Sequence, residues 1–486
     1  MTALLALALA LAADPAAAPP VAAGAQPAAP PPAAGQALAE PALAPEAASA
    51  EPPATFADRG ARRYQVERIE LRGLEHTHAS EVRRHVLVAE GDPLDPERVS
   101  LSRLRLLQLG WFSRVESRVE KGSARGLVVI VFQVQERNTL VITDLVFGST
   151  PAQSFYGGLG LSQQNFLGRG LGLSGAFAYG GSPQGRPQDP ARFALRSGFF
   201  APDVSLFGRR AVLGANAWFL RGEEFACPDA GCGGYPELAD APRLRYQRFG
   251  GELSGGLRAG AFERLLAGYR YERVRGKAVL PSPLASVTTR PAQLLPGWSD
   301  VSALSLTYEL DTRDDFFFPT EGHRVLAQIS FASRLLGSDY EYSKYLLQAE
   351  SSFGLLGVPL RFQSALGAVQ GGAPFFDRFY AADWSYFAVG PALGRAMDLN
   401  FSTDPRYDAF LAMGGLEYAV PLFSGSGFFR RGYLALGARG VFTTETLGGA
   451  RTRTSRSPVS CDVALRLDTP VGDFNASLGY ALDNVL

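Results

Sequence analysis

From about residue 138 onward the chain alternates apolar and polar side chains with period two, in segments of about 9 to 12 residues broken by turn-forming residues. In SALSLTYELD, Leu304, Leu306, Tyr308 and Leu310 share one face, and Ser305, Thr307, Glu309 and Asp311 the other. The same division recurs downstream. Val325, Ala327, Ile329 and Phe331 alternate with Arg324, Gln328 and Ser330, and Tyr345, Leu347 and Ala349 oppose Lys344, Gln348 and Glu350. Near the end Phe474, Ala476, Leu478, Tyr480 and Leu482 oppose Asn475 and Ser477. A soluble sandwich also alternates, but over shorter strands and with a more charged polar face, so the pattern predicts a transmembrane antiparallel β-barrel of about 15–16 strands over residues 138–486.

Residues 63–137 read differently, as a small α/β unit in the order β-α-α-β-β. YQVERIELRG gives a short strand with Val66, Glu67, Ile69 and Leu71 before Gly73. One helix is predicted over ASEVRRHVLV. A second starts at the Asp92-Pro93 and Asp95-Pro96 signals, with Val99, Leu101, Leu104, Leu107 and Leu109 as its apolar face. SRVESRVE and LVVIVFQVQE close the unit; in the latter either Val129 and Val131 or Ile130, Phe132 and Val134 point inward. Residues 1–13 form an apolar stretch of signal-peptide length, which predicts export. Residues 14–62, nearly all Ala, Pro, Gly and Glu up to residue 57, cannot bury a core and predict an extended linker.

Composition narrows function. The 47 Lys+Arg balance 47 Asp+Glu, so no basic excess exists to neutralise a nucleic-acid backbone. No apolar run beyond the first dozen residues approaches the roughly 20 that a spanning helix needs. The 3 Cys and 4 His form no metal-ligand cluster, and no nucleophile-elbow, zinc or phosphate-loop motif occurs, so neither a cofactor nor an enzyme activity is expected. Cys227 and Cys232, in CPDAGC, are candidates for a small disulfide, while Cys461 reads as an apolar packing residue. His76 and His78 read as turn and helix-start residues.

Taken together, VERIELRGLE, AEGDPLD, Gly110-Trp111-Phe112-Ser113 and FQVQE in the small unit, with QQNFLGRG, ELDTRDDFFFPTEGHRV, PFFDRFYAA, GGLEYAVPL and LRLDTPVG in the barrel, resemble the BamA/TamA-type outer-membrane assembly family, also called the bacterial surface antigen family. The resemblance covers residues 63–486, with a single POTRA domain. It implies an outer-membrane location, a periplasmic N-terminal domain, and a cofactor-free role in inserting or translocating unfolded β-barrel clients. It also implies contact with the lipid bilayer and with periplasmic partners through strand addition to the POTRA sheet, at Val115 to Val119 or Val66 to Leu71. A single POTRA domain suits an accessory relative. Two alternatives stand beside this reading: a two-partner-type secretion pore, and a diffusion channel or structural anchor.

Asn165, Gly168 and Gly170, and Asp311, Arg313, Pro319 and Gly322, mark tight turns, where Gly permits positive φ and Pro fixes it. The stretch from about Gly371 to Tyr407 lacks a strand pattern, and the resemblance makes it the loop that folds back into the barrel. In the family an Arg of that loop reaches acidic wall groups; here the nearest match is Arg395, in Leu393-Gly394-Arg395-Ala396. Its expected partner is the inward-phased Glu417, with Arg439 of the neighbouring strand as a competitor. Alternation yields fifteen strands where the family has sixteen, and the strand without a counterpart is the last.

Overall fold

A computed structural model describes residues 64–150, 153–181, 192–206, 209–225, 243–279, 294–295, 297–315, 319–355, 358–380, 407–425, 427–444 and 459–482. Cys227, Cys232, Arg395, the export segment and the linker lie outside the described residues.

The small domain has the expected order: β1 (Gln65–Arg72), α1 (Ala79–Arg83), α2 (Pro96–Gln108), β2 (Phe112–Lys121) and β3 (Leu127–Glu136). Helix α2 begins where its signals place it. The Asp95 carboxylate accepts the N–H groups of Glu97 (3.0 Å) and Arg98 (3.2 Å), with Pro96 at the first helical position. Helix α1 stops at Arg83, short of the segment expected to carry it to Val88. After it Arg84, His85 and Val86 still donate to carbonyls three residues back, and from there side chains take over as acceptors: Leu87 N–H donates to Ser102 Oγ (2.9 Å) and Ala89 N–H to Asp92 Oδ2 (3.1 Å).

Strand β3 is central, parallel to β1 and antiparallel to β2. Val66 and Ile69 are three residues apart, which would place them on opposite faces of a regular strand. A register shift between Val66 and Arg68 turns both into the core, where they meet Val82, Leu106, Ile130 and Phe132.

The rest of the chain is one fifteen-stranded antiparallel sheet among the described residues. Its first strands are β4 (Leu140–Thr150), β5 (Gln153–Phe166), β6 (Leu171–Gly180), β7 (Arg192–Leu206), β8 (Arg209–Phe225), β9 (Arg243–Arg258), β10 (Glu263–Val279) and β11 (Gly297–Asp311). It continues through β12 (Gly322–Ala332), β13 (Tyr342–Leu355) and β14 (Val358–Gly371). Two-residue strands β15 (Phe379–Tyr380) and β16 (Tyr407–Asp408) pair only with each other, and β14 pairs directly with β17 (Phe410–Ser424). The sheet ends with β18 (Arg431–Thr444), β19 (Val459–Thr469) and β20 (Gly472–Leu482). Where β20 comes round to β4, the described backbone contact is a bond from Ile142 N–H to Val471 O (2.7 Å).

Outward positions carry a lipid-facing belt that includes Leu253, Leu304, Leu306, Ile329, Phe331 and Leu436. Cys461 belongs to this exposed face, so it packs toward lipid and not into a protein core. Inward positions grade along the strands. On β11 they run from Val301 and Ala303 through Ser305 and Thr307 to Glu309 and Asp311, apolar at the end with long connections and charged at the end with short turns.

The small domain docks on the short-turn end. Asn165 Nδ2 donates to Thr77 Oγ1 (2.9 Å) while its Oδ1 accepts from Gly170 N–H (2.7 Å), and His78 N–H donates to Gly168 O (3.0 Å). Trp111 Nε1 donates to Gln164 O (3.1 Å), and Gln108 Nε2 to the carbonyls of Asp311 (3.1 Å) and Arg313 (2.7 Å). The Asn165–Gly170 turn is therefore a docking surface as well as a turn. A Cβ at Gly170 would come within 2.7 Å of the Trp111 ring, at a φ of 69° that disfavours L side chains. Gly170→Ala should loosen this joint at a cost of about 1–3 kcal/mol. Faster protease cleavage between the two domains, with the heat-modifiable barrel retained, is the expected result.

Candidate functional site

The barrel lumen holds a folded-back segment. After β14 the chain turns inward through a 3-10 turn at Phe375–Asp377 and into β15, and Ala373, Phe375, Phe376 and Phe379 are all buried. They pack against the apolar inner wall of the long-connection end, against Val274, Val301, Ala303, Ala332 and Tyr342. Tyr246 meets Phe375 edge-on at 5.1 Å, and the Arg248 guanidinium lies 3.5 Å from the Phe376 ring centroid. Phe379 occupies the space above Gly367, where a Cβ would come within 2.2 Å of its ring.

One carboxylate fixes this segment. Asp377, 5% exposed, takes both forks of the Arg270 guanidinium (2.9 and 2.6 Å) and the hydroxyl of Tyr342 (2.6 Å). Arg270 also donates to that hydroxyl at 2.6 Å. A second buried carboxylate, Glu272, is held by Arg248 (2.6 and 3.1 Å) and Trp218 Nε1 (3.1 Å), which positions Arg248 over Phe376. The bidentate geometry matches guanidinium to carboxylate, and such a pair resists loss of either member because the survivor is left buried and charged.

Toward the small domain the inner wall carries a belt of alternating charges. Glu309 lies between Arg264 (3.0 Å) and Arg324 (3.1 Å), and Glu350 between Arg313 (3.6 Å) and Arg361 (3.4 Å). Glu417 follows, with Arg466 at 2.5 Å and Arg361 at 3.9 Å. Arg466 belongs to β19 and reaches Glu417 across β18, where Ala435 and Gly437 face inward and leave room. Arg439 has the expected inward phase and pairs in register with Gly415, one inward position from Glu417. The turn residues close this end. Arg313 grips Asp311 (2.9 and 2.8 Å), Pro319 lines the same small pocket as Glu417 and Arg466, and Gly322 (φ 106°) sits where a Cβ would strike Thr312 O. Arg431 ties Asp468 (2.8 Å) to Asp315 (3.1 Å), and Arg137, just after the small domain, lies 3.9 Å from Asp468.

Arg270, Tyr342, Glu272 and Arg466 were not among the expected site residues. The available signal for Asp377 was its place in PFFDRFYAA. Among the described residues no group of His, Cys, Asp and Glu is arranged to hold a metal ion.

Residues 165–485 match the family model described as the Omp85 superfamily domain, and residues 64–137 the POTRA model described as surface antigen variable number repeat. The chain is 30% identical over 107 residues to an outer membrane protein assembly factor BamA of Neorickettsia risticii (strain Illinois), a match covering 22% of this chain and 14% of that protein. Its fold is similar to CdiB from Escherichia coli, with a TM-score of 0.57 and 10% identity over 87% of this chain and 73% of that one. BamA from Haemophilus ducreyi lacking POTRA domains 1–3 aligns at 17% identity over 87% of this chain and 85% of that chain, with a TM-score of 0.45.

Asp377→Ala should cost about 3–5 kcal/mol by stranding Arg270, and should raise ion conductance in planar bilayers as the segment leaves the lumen. The double variant Arg270→Met with Asp377→Leu should recover most of the thermal stability. Additive losses would show that the pair does not hold the segment.

Proposed function

The chain belongs to the Omp85 superfamily and is an outer-membrane protein with a periplasmic POTRA domain, and from that membership we propose that it is a non-enzymatic insertase, working sideways through its wall on β-rich client chains. The observation that carries this reading is the seated segment: Asp377, Arg270 and Tyr342 hold its aromatic residues against the inner wall of the lumen. A lumen narrowed at one end by that segment, with the small domain docked on the turns at the other, makes a poorer conduit than an open barrel. The wall offers another route. Among the described residues β4 and β20 are the two ends of the sheet, joined by no strand ladder, and a strand edge that offers N–H and C=O groups is a template for an incoming strand.

The small domain supplies a second edge. Strand β1 is covered at its start, where Val66 N–H donates to Asp92 O (2.9 Å) and Gly91 N–H to Val66 O (2.8 Å). Strand β2 is the other edge of the sheet, with Arg114, Glu116 and Arg118 along it. These charges discourage self-association, and they leave β2 as the edge for strand addition by a client or periplasmic partner. One POTRA domain suits an accessory or specialised insertase.

The test is client folding in liposomes. Membrane insertion of a purified barrel protein is timed with the full chain, with a chain lacking residues 64–137, and with empty vesicles, while ion conductance is recorded. Acceleration that needs the small domain, at low conductance, is expected. Conductance without acceleration would support the two-partner-type secretion pore or the diffusion channel instead.

A further inference from the structure

A cavity of about 640 Å³ lies where α2 faces the short-turn end of the barrel. Its wall includes Arg105 of α2, Arg258 at the end of β9 and Arg264 at the start of β10, with Ser174, Asn216 and Ser254 beside Gly198 and Gly214. The acids of the same wall are mostly spoken for: Glu309 by Arg264 and Arg324, and Asp311 by Arg313. Arg105 and Arg258 are not matched in this way.

Arg105 is 6% exposed, and its Nε has no hydrogen-bond partner among the described residues. Among the described residues Arg258 donates only to the carbonyl of Pro202, at 3.3–3.4 Å. Within electrostatic reach of Arg258 stand Arg105, Arg264 and Arg210, with Asp203 as the opposing carboxylate. Arg210 in turn donates to Arg84 O and lies 3.4 Å from Asp203. Neighbouring His85 is 1% exposed; burial and the arginines Arg258, Arg105, Arg210 and Arg84 hold its pKa well below the ordinary value, so it stays neutral and adds no charge. Burial and Arg210 likewise lower the Arg105 pKa from its usual value. A buried guanidinium without a counter-ion is costly, and the forked donors of two arginines beside hydroxyl and amide groups match a tetrahedral oxyanion.

We propose that this cavity is a phosphate-group site, in which Arg105 and Arg258 bind the oxyanion and Ser174, Asn216 and Ser254 line its floor. The bound anion supplies the charge that the joint between the small domain and the barrel lacks, and so strengthens their docking. The phosphate comes either free from solution or on a phospholipid headgroup.

The test uses the full chain in detergent, with melting read from heat-modifiable migration. Inorganic phosphate, short-chain phosphatidylglycerol and sodium chloride are titrated at matched ionic strength. Phosphate or the lipid should raise Tm saturably, by about 4–8 °C at a hundredfold excess over Kd, and chloride should not. A response to the lipid alone would assign the headgroup as the source; a response to both would admit free phosphate.

Without an anion, Arg105→Gln should melt at or above the native chain, because it relieves repulsion. With an anion it should melt below, with binding at least about tenfold weaker. Arg258→Gln repeats the comparison should Arg105→Gln fail to form a barrel. A merely structural arginine would lower Tm equally with and without anion. That result, or equal stabilisation by chloride, would overturn the proposal.

Discussion

A sheet surrounded by hydrocarbon can place charge only on its inner wall, and a charge placed there must find a partner. The arrangement of this barrel follows from that constraint. At the end carrying long connections the inner wall is mostly apolar, and the carboxylates buried there are each received by an arginine, Asp377 by Arg270 with Tyr342 and Glu272 by Arg248 with Trp218. At the other end the wall is charged, and acids alternate with arginines from Arg264 to Arg466.

The small domain belongs to the same system. Trp111 and Gln108 fasten it to turn carbonyls, and Arg137 carries the charge network from its last strand to Asp468 beside the β19–β20 turn. That turn also holds Gly472 against Ile142 O, where a Cβ would come within 2.7 Å, so the place where β4 meets β20 is shaped by the residues that join the two domains. The contacts of the small domain and the ends of the sheet thus meet at the same turn.

The strands were legible because period-two alternation survives wherever one face meets lipid. The β-α-α-β-β order was legible from caps and turn signals, while the early end of α1 was not, since it depends on Ser102 reaching back from α2. Glu417 was legible as inward from its phase. Its partner Arg466 was not, because reaching it depends on the small residues Ala435 and Gly437 on the strand between. Arg270 sits among Arg273 and Arg275 of the opposite phase, 107 residues from Asp377, and only the folded-back segment brings the two together. Sequence phase reports which face a residue occupies; it does not report which distant segment comes to meet it.

Passage of clients through the wall, past a segment that stays seated in the lumen, is tested by locking that segment in place. Arg270→Cys and Asp377→Cys, in a chain whose native cysteines are replaced, are joined by a short bifunctional thiol reagent, and client insertion into liposomes is timed before and after joining. The locked protein should accelerate insertion as well as the unlocked one. Loss of acceleration on locking, recovered when the bridge is cleaved, would contradict it and make the lumen the route.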